Sequence, residues 1–401
     1  MKHMKNPHPT ALDSSGSLAW QIAGAMLSRL ALNTARRFVY PFAPVISRGL
    51  DVPLPAVTSV VAACQGAPLV GLVSGPLADR WGYRRMMIGG MGMLALGMLA
   101  VAIRPTFATL AIGLVLASFG KTVFDPAIQA YVGQRVVYHR RAQVIGLMEF
   151  SWAGSTLLTI PIIGVLMEAH GWSSAPWCLG GAALVCLWIL VRVFPQDPPA
   201  ASTALGRSRR SAWARLLNQR PALGMMGFAF WISAANDALF IVYGVWFETA
   251  FGLGVAALGA TAVAIGSAEL LGEFLTAAAA DRIGLKRSAG IGLAGLTAAY
   301  ALLPLWGTQL SGALIGLFWI FTALEFTIVA CLSLATELVP NQRATMMSGF
   351  FAAAGLGRLC GAVMGMPLWQ AGGISGVSHA ATVLTLVGWA SLHWGLVRWR
   401  T

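Results

Sequence analysis

Charge is scarce in this 401-residue sequence: Asp, Glu, Lys and Arg make up only 10% of it. Soluble globular domains carry about a quarter, so a chain this poor in ions cannot cover a water-facing surface. Cysteine is scarce too. The five present, Cys64, Cys178, Cys186, Cys331 and Cys360, are odd in number, lie within apolar runs and show no C-x-x-C spacing. That excludes a disulfide framework and predicts no metal site. Also missing is sustained alternation of apolar and polar residues over about ten positions, which an outer-membrane barrel needs. The N-terminal MKHMKNPHPT lacks a short apolar region ending in small residues, so no removable signal peptide is predicted. No catalytic constellation stands out. The one phosphate-loop fragment, Gly120-Lys121-Thr122, has Val115 where such a loop needs Gly, and it lies in an apolar run, not after a strand. The expectation is a protein that is not an enzyme and that binds no cofactor.

What the chain does have is apolar length. Hydrophobic residues form 57% of it and its mean hydropathy is +0.72. Runs long enough for the roughly 20 helical residues that cross a bilayer recur twelve times, centred near residues 32, 67, 94, 120, 155, 184, 234, 270, 297, 322, 356 and 386. The fold class expected is an all-α polytopic membrane protein with twelve transmembrane helices. A net charge of +13 would suggest nucleic acid in a soluble protein, but here its distribution decides. With both ends on one side, the loops of that side hold 20 of the 27 Lys and Arg residues, the opposite loops hold Arg48 and Arg104, and five lie within spans. By the positive-inside rule both termini are cytoplasmic, and no nucleic-acid partner is expected. Trp20, Trp172, Trp177, Trp213, Trp246 and Trp394 fall near predicted interfaces and read as membrane-belt anchors.

The sequence also repeats itself. GPLADRWGYRR (75–85) follows the second span and AAAADRIGLKR (277–287) the eighth. Asp79 and Asp281, Arg80 and Arg282, Gly82 and Gly284, Arg84 and Lys286, Arg85 and Arg287, and Arg141 and Arg343 all share one offset of 202 residues. Independent matches at one offset imply duplication of a six-span unit. Two pseudo-symmetric six-helix bundles are predicted, 1–194 and 221–401, joined by a Pro-, Ser- and Arg-rich cytoplasmic linker at 195–220.

GPLADRWGYRR resembles the signature loop of the major facilitator superfamily of secondary transporters, G-x-x-x-D-R-x-G followed by basic residues. It departs from that pattern at Tyr83, and the second copy departs at Ala277. The six-plus-six layout resembles the family across essentially the whole chain. The resemblance implies a monomer in a bacterial cytoplasmic (inner) membrane, with a solute site at the midplane between two rocking halves. It also implies that Asp79 caps the positive N-terminal end of the eleventh span near Ala344. Gly75, Arg80, Gly82, Arg84 and Arg85, with Asp281 and Arg282 of the second copy, would complete this gating latch. The family's glycine and proline pattern on the fifth span, associated with antiport, is present only in part: Gly146, Gly154, Pro161 and Gly164 fit, while Thr156 and Ile160 do not.

The first span, RLALNTARRFVYPF at 29–42, carries three arginines. Facing lipid they would cost on the order of 8 to 10 kcal/mol, so they must face protein or water. At roughly 100° per residue, Arg29, Asn33, Arg36 and Tyr40 fall within an arc of about 60°, with Arg37 at its edge. Guanidinium forks match carboxylate and phosphate geometry, so these residues, with Arg358, read as an anion-binding wall. The competing reading is that the arginines neutralise buried acids. Those acids are Asp125, Glu149, Asp237, Glu269, Glu273 and Glu325, six against five cations within the spans. Mutual pairing leaves one carboxylate to carry a proton. Glu269 and Glu273, four apart on one helix face, disfavour double ionisation and stand first for that role; Glu325 and Asp237 come next. Lys121 and Asp125, also four apart, read as a self-neutralising pair within the membrane. Gly357, Gly361 and Gly365 form a ridge of small residues that lets another helix approach Arg358 closely.

The function expected is proton-linked secondary active transport of a small anionic or zwitterionic solute through a cavity lined by the first, fourth, seventh and tenth spans. Solute, protons and the lipid bilayer are its partners. The alternative is an efflux antiporter for drugs or other hydrophobic compounds, whose cationic members the buried acids would serve. A remoter one is a non-transporting membrane receptor or lipid-handling protein.

Overall fold

The computed structural model describes residues 15–67, 81–135, 148, 150–196, 214, 216–339 and 343–397, and every regular element among them is a helix. Helices α1 (Ser15–Arg37) and α2 (Val39–Gly49) form the first pass, and α3 (Leu54–Cys64) opens the second. Then come α4 (Tyr83–Ile103), α5 (Phe107–Arg135), a π turn (Ser155–Thr159) running into α6 (Ile160–His170), and α7 (Ser174–Val193). The second repeat has α8 (Arg220–Phe240), α9 (Tyr243–Phe251), α10 (Val255–Ile283), α11 (Leu285–Trp306), α12 (Leu310–Leu338) and α13 (Arg343–Leu396). Most of the expected linker, residues 197–213 and 215, lies outside the described residues.

Nine of the described stretches are long and apolar enough to cross a bilayer. The last, Met346–Leu396, has 51 residues, more than twice the length of one crossing. It leaves helical geometry at Gly372 and Gly373, where φ is −150° and +56°, and two passes meet there. The first pass is not among the nine because its polar stripe lowers its apolarity, and the second because α3 is described for only 11 residues. One side of the bundle, here the near side, holds the start of α1 and the end of α13. The far side holds the α2–α3 and α9–α10 turns.

Two of the positions matched in sequence share a backbone conformation. Gly82 and Gly284 precede α4 and α11 with φ of 93° and 91°, a left-handed conformation that side chains with a Cβ rarely adopt. The basic residues that follow act alike. Arg84 Nη2 donates to the Val191 carbonyl at 2.6 Å, and Lys286 Nζ donates to the Leu396 carbonyl at 3.0 Å. Each caps carbonyls at the end of the last helix of its own repeat, where the helix dipole is negative. This contact of Arg84 joins α4 to α7. Gly75, Asp79 and Arg80 and the side chain of Asp281 lie outside the described residues, while Arg85 and Arg282 are exposed. Among the tryptophans, Trp20, Trp177 and Trp394 are exposed as membrane anchors should be. Trp246 is not; it is buried against Phe247 and Phe251 because α9 packs into the core.

Helix approach is set by glycine. A Cβ on Gly357 would come within 2.0 Å of the Phe230 carbonyl oxygen, and one on Gly361 within 2.2 Å of that of Ala234. The ridge therefore seats α13 on the backbone of α8 and leaves Arg358 beside Asp237. Overpacking such a contact costs about 1 to 3 kcal/mol. Gly361→Val is expected to lower the unfolding temperature of the purified protein by several degrees, whereas Gly290→Ala, with nothing within 4 Å, leaves it unchanged.

Candidate functional site

The polar groups that the sequence scatters over seven passes converge on one cavity. Its position follows from a break in the first pass. Pro41 and Pro44 supply no N–H for the carbonyls of Arg37 and Tyr40, and α1 gives way to α2 at Phe38. Arg36, Arg37 and Tyr40 flank this break and line the cavity.

Arg37 forms a two-pronged ion pair with Glu269 of α10, with Nη2 to Oε1 at 2.6 Å and Nη1 to Oε2 at 3.2 Å. Both side chains are buried, and Thr156 Oγ1 donates to Oε2 at 3.0 Å. Thr156 sits in the π turn just ahead of Pro161, a proline that removes a helical hydrogen bond there. The Arg37 guanidinium also lies 4.3 Å from the centre of the Trp152 ring, a cation–π contact. Charge, hydrogen bond and ring together satisfy this arginine within the protein.

A second network centres on Asp237 of α8. Arg358 Nε lies 3.8 Å from its Oδ2, and Tyr40 Oη donates to its Oδ1 at 3.4 Å. Gln65, at the end of α3, donates from its amide nitrogen to the same Oδ1 at 3.2 Å and to Tyr40 Oη, while its amide oxygen accepts from Arg36 Nη2. Among the described residues Arg36 has no carboxylate in ion-pair contact, and neither has Glu325 a cation. Both line the cavity. Its far wall is apolar, with Phe240, Phe321, Leu324 and Ile328.

Of the expected wall, Arg36, Tyr40 and Arg358 come together in this cavity and Arg29 and Asn33 do not. Arg29 Nε lies 3.4 Å from Asp125 Oδ1, and Asn33 donates to Ser151 Oγ at 3.4 Å. The Lys121–Asp125 pair forms at 2.6 Å within α5. It closes with Arg29 into a second cluster next to the cavity, with Lys121 Nζ 5.7 Å from the ring of Trp152. Among the described residues the lining comes from the first, seventh and tenth passes, as expected, and from the second, fifth, eighth and eleventh, and includes none from the fourth. Of the proton candidates, Asp237, Glu269 and Glu325 line the cavity while Glu273 is half-buried outside its wall. Glu149 lies outside the described residues. Gln65 and Trp152 were not singled out from sequence. Gln65 is the lone amide of its apolar run and carries no charge or spacing to mark it.

The Major Facilitator Superfamily profile matches residues 25–268. The uncharacterized MFS-type transporter YceJ of Bacillus subtilis is 24% identical over 326 residues, 80% of this chain and 83% of that protein. Human monocarboxylate transporter 11 is 30% identical over 177 residues, 43% of this chain and 36% of its own length. The multidrug resistance protein B homolog of Mycobacterium tuberculosis is 30% identical over 134 residues, 32% of this chain and 24% of its own. A solved bacterial homolog of the human lysosomal transporter Spinster, inward-facing and unoccupied, shares the fold with a TM-score of 0.74 at 14% identity, covering 96% of this chain and 97% of that one. With the profile spanning more than half of its length and an all-helical fold of apolar spans around a polar cavity, the chain is a membrane transporter of the Major Facilitator Superfamily.

Proposed function

We propose that this transporter couples proton movement to the passage of a small anionic or zwitterionic solute bound between its halves. The observation that carries the reading is Arg36, a cavity guanidinium whose only hydrogen-bond acceptor among the described residues is the neutral amide of Gln65. A permanent charge in a membrane interior calls for a counter-charge, and here the solute supplies it. Arg358 stands on the other side of Asp237 and adds to the positive field. The human monocarboxylate transporter relative is, by its name, in keeping with an anionic solute. A second reading, efflux of apolar or cationic compounds, draws on the wall of Phe240, Phe321, Leu324 and Ile328 and on the name of the multidrug relative. Arg36, with no carboxylate in ion-pair contact among the described residues, weighs against a cation at that end of the cavity.

For the proton, the geometry favours Glu325 over Glu269. Glu269 is clasped by Arg37 and Thr156, and a carboxylate so held is a structural counter-ion in this state. Glu325 lines the cavity with no cation in contact and faces the charges of Glu269 and Glu273. It is the carboxyl placed to take up a proton from one side and release it to the other. Coupling requires only that its protonation differ between the two open states.

The anionic reading predicts that Arg36→Ala inserts and folds but loses solute binding, measured by thermal shift against a panel of organic anions and cationic drugs. Unchanged anion binding, or stabilisation by the cations alone, would turn the reading toward efflux. For the proton, Glu325→Gln is expected to keep solute exchange in proteoliposomes and to lose accumulation driven by an imposed pH gradient, with little change in stability. Glu269→Gln is expected to destabilise by about 3 kcal/mol, because it strips a buried guanidinium of its counter-charge. Accumulation that survives in Glu325→Gln moves the proton site to Asp237 or Glu269.

A further inference from the structure

Gln65 occupies an unusual place. The second pass loses its helix there: α3 ends at Cys64, and the Gln65 N–H bonds back to the carbonyls of Ala62 and Val61 at 3.0 and 3.2 Å. The side chain is 2% exposed and uses its whole amide. The oxygen accepts from Arg36, and the nitrogen donates to Tyr40 Oη and Asp237 Oδ1. Asp237 has other partners in Tyr40 and Arg358. Arg36 has none among the described residues. An uncharged acceptor is a weak match for a guanidinium, since a hydrogen bond to an ionised acceptor is about twice as strong and a carboxylate offers two oxygens to the fork.

We propose that the Gln65 amide is a neutral stand-in for the carboxylate of the solute, holding Arg36 while the cavity is empty and leaving it when a monocarboxylate with a flat apolar body enters. This rests on the anionic reading above and names its substrate class. One guanidinium without a counter-ion takes one carboxylate. The rest of the solute lies against Phe240 and Phe321, whose ring centres are 5.7 Å apart, and against Leu324 and Ile328. A built-in amide has a defined advantage over a built-in acid. It keeps the Arg36 side chain positioned and hydrogen-bonded without neutralising it, so the site stays attractive to an anion, and the displaced amide retains Tyr40 and Asp237 as partners. Gln65 then sets selectivity by competing with every ligand for Arg36.

The test is equilibrium binding of radiolabelled benzoate, with benzamide as uncharged competitor of the same shape, to the purified full chain. Wild type is expected to bind benzoate and ignore benzamide, and Arg36→Ala to lose affinity by about tenfold or more. Gln65→Ala is expected to bind at least as tightly as wild type, because the competitor is gone. Gln65→Glu is expected to lose about tenfold or more, because a carboxylate built into the chain holds Arg36. If Gln65→Ala weakens binding as much as Arg36→Ala does, Gln65 is a solute ligand and the stand-in idea falls while the anionic reading stands. Wild-type affinity in Gln65→Glu overturns it equally. Should Gln65→Glu not fold, the comparison of Gln65→Ala with Arg36→Ala decides alone. Benzoate that fails to bind wild type, binds Arg36→Ala unchanged or is displaced by benzamide overturns the anionic reading and the proposal with it.

Discussion

A guanidinium inside a membrane must find a counter-charge, and Arg37 finds its own in the other half of the molecule. The ion pair with Glu269 ties the break in the first pass to α10 through two short hydrogen bonds, with Thr156 and Trp152 closing around it. Much of the site follows. Consecutive residues on a helix point about 100° apart, so anchoring Arg37 on α10 turns Arg36 away from it, toward α3 and Gln65. The same pair holds Glu269, while Glu325, on the neighbouring α12, lines the cavity with no cation in ion-pair contact among the described residues.

The sequence made the architecture legible because its signals are long and redundant: twelve apolar runs, and an offset of 202 residues shared by residues with definite backbone duties. Gly82 and Gly284 matched in sequence because both sit at positive φ. The ridge at Gly357, Gly361 and Gly365 was readable for a like reason, since small residues four apart can serve only one helix face. The site was harder. Angular periodicity assumes an unbroken helix and says nothing of what lies opposite. It grouped Arg29 and Asn33 with Arg36, yet Arg29 is taken by Asp125 from the fourth pass, and Arg37, at the margin of the arc, became central. Tyr40 lies beyond the break at Phe38, where a count of 100° per residue no longer holds. Gln65 was illegible because its importance lies wholly in its partners, each more than 20 positions away in the chain.

The contacts that join the halves differ in what their separation would leave behind. Toward the far side, Gly244 packs on the Tyr40 and Pro41 carbonyls, and Gly164 of α6 meets Gly259 of α10. These are close backbone approaches made of dispersion, and parting them strands no charge. An ion pair there, Arg48 with Glu248 at 2.6 Å, leaves Arg48 60% exposed, and such surface pairs contribute about 0 to 1 kcal/mol. Deeper in the bundle the balance reverses, because parting Arg37 from Glu269 would leave two buried ions unpaired, at a cost of several kcal/mol. Separation is therefore least costly at the far-side glycine contacts and most costly at the Arg37–Glu269 clasp. The polar core thus sets a clasped ion pair, Arg37 with Glu269, beside Arg36 and Glu325, which line the same cavity with no oppositely charged side chain in ion-pair contact among the described residues.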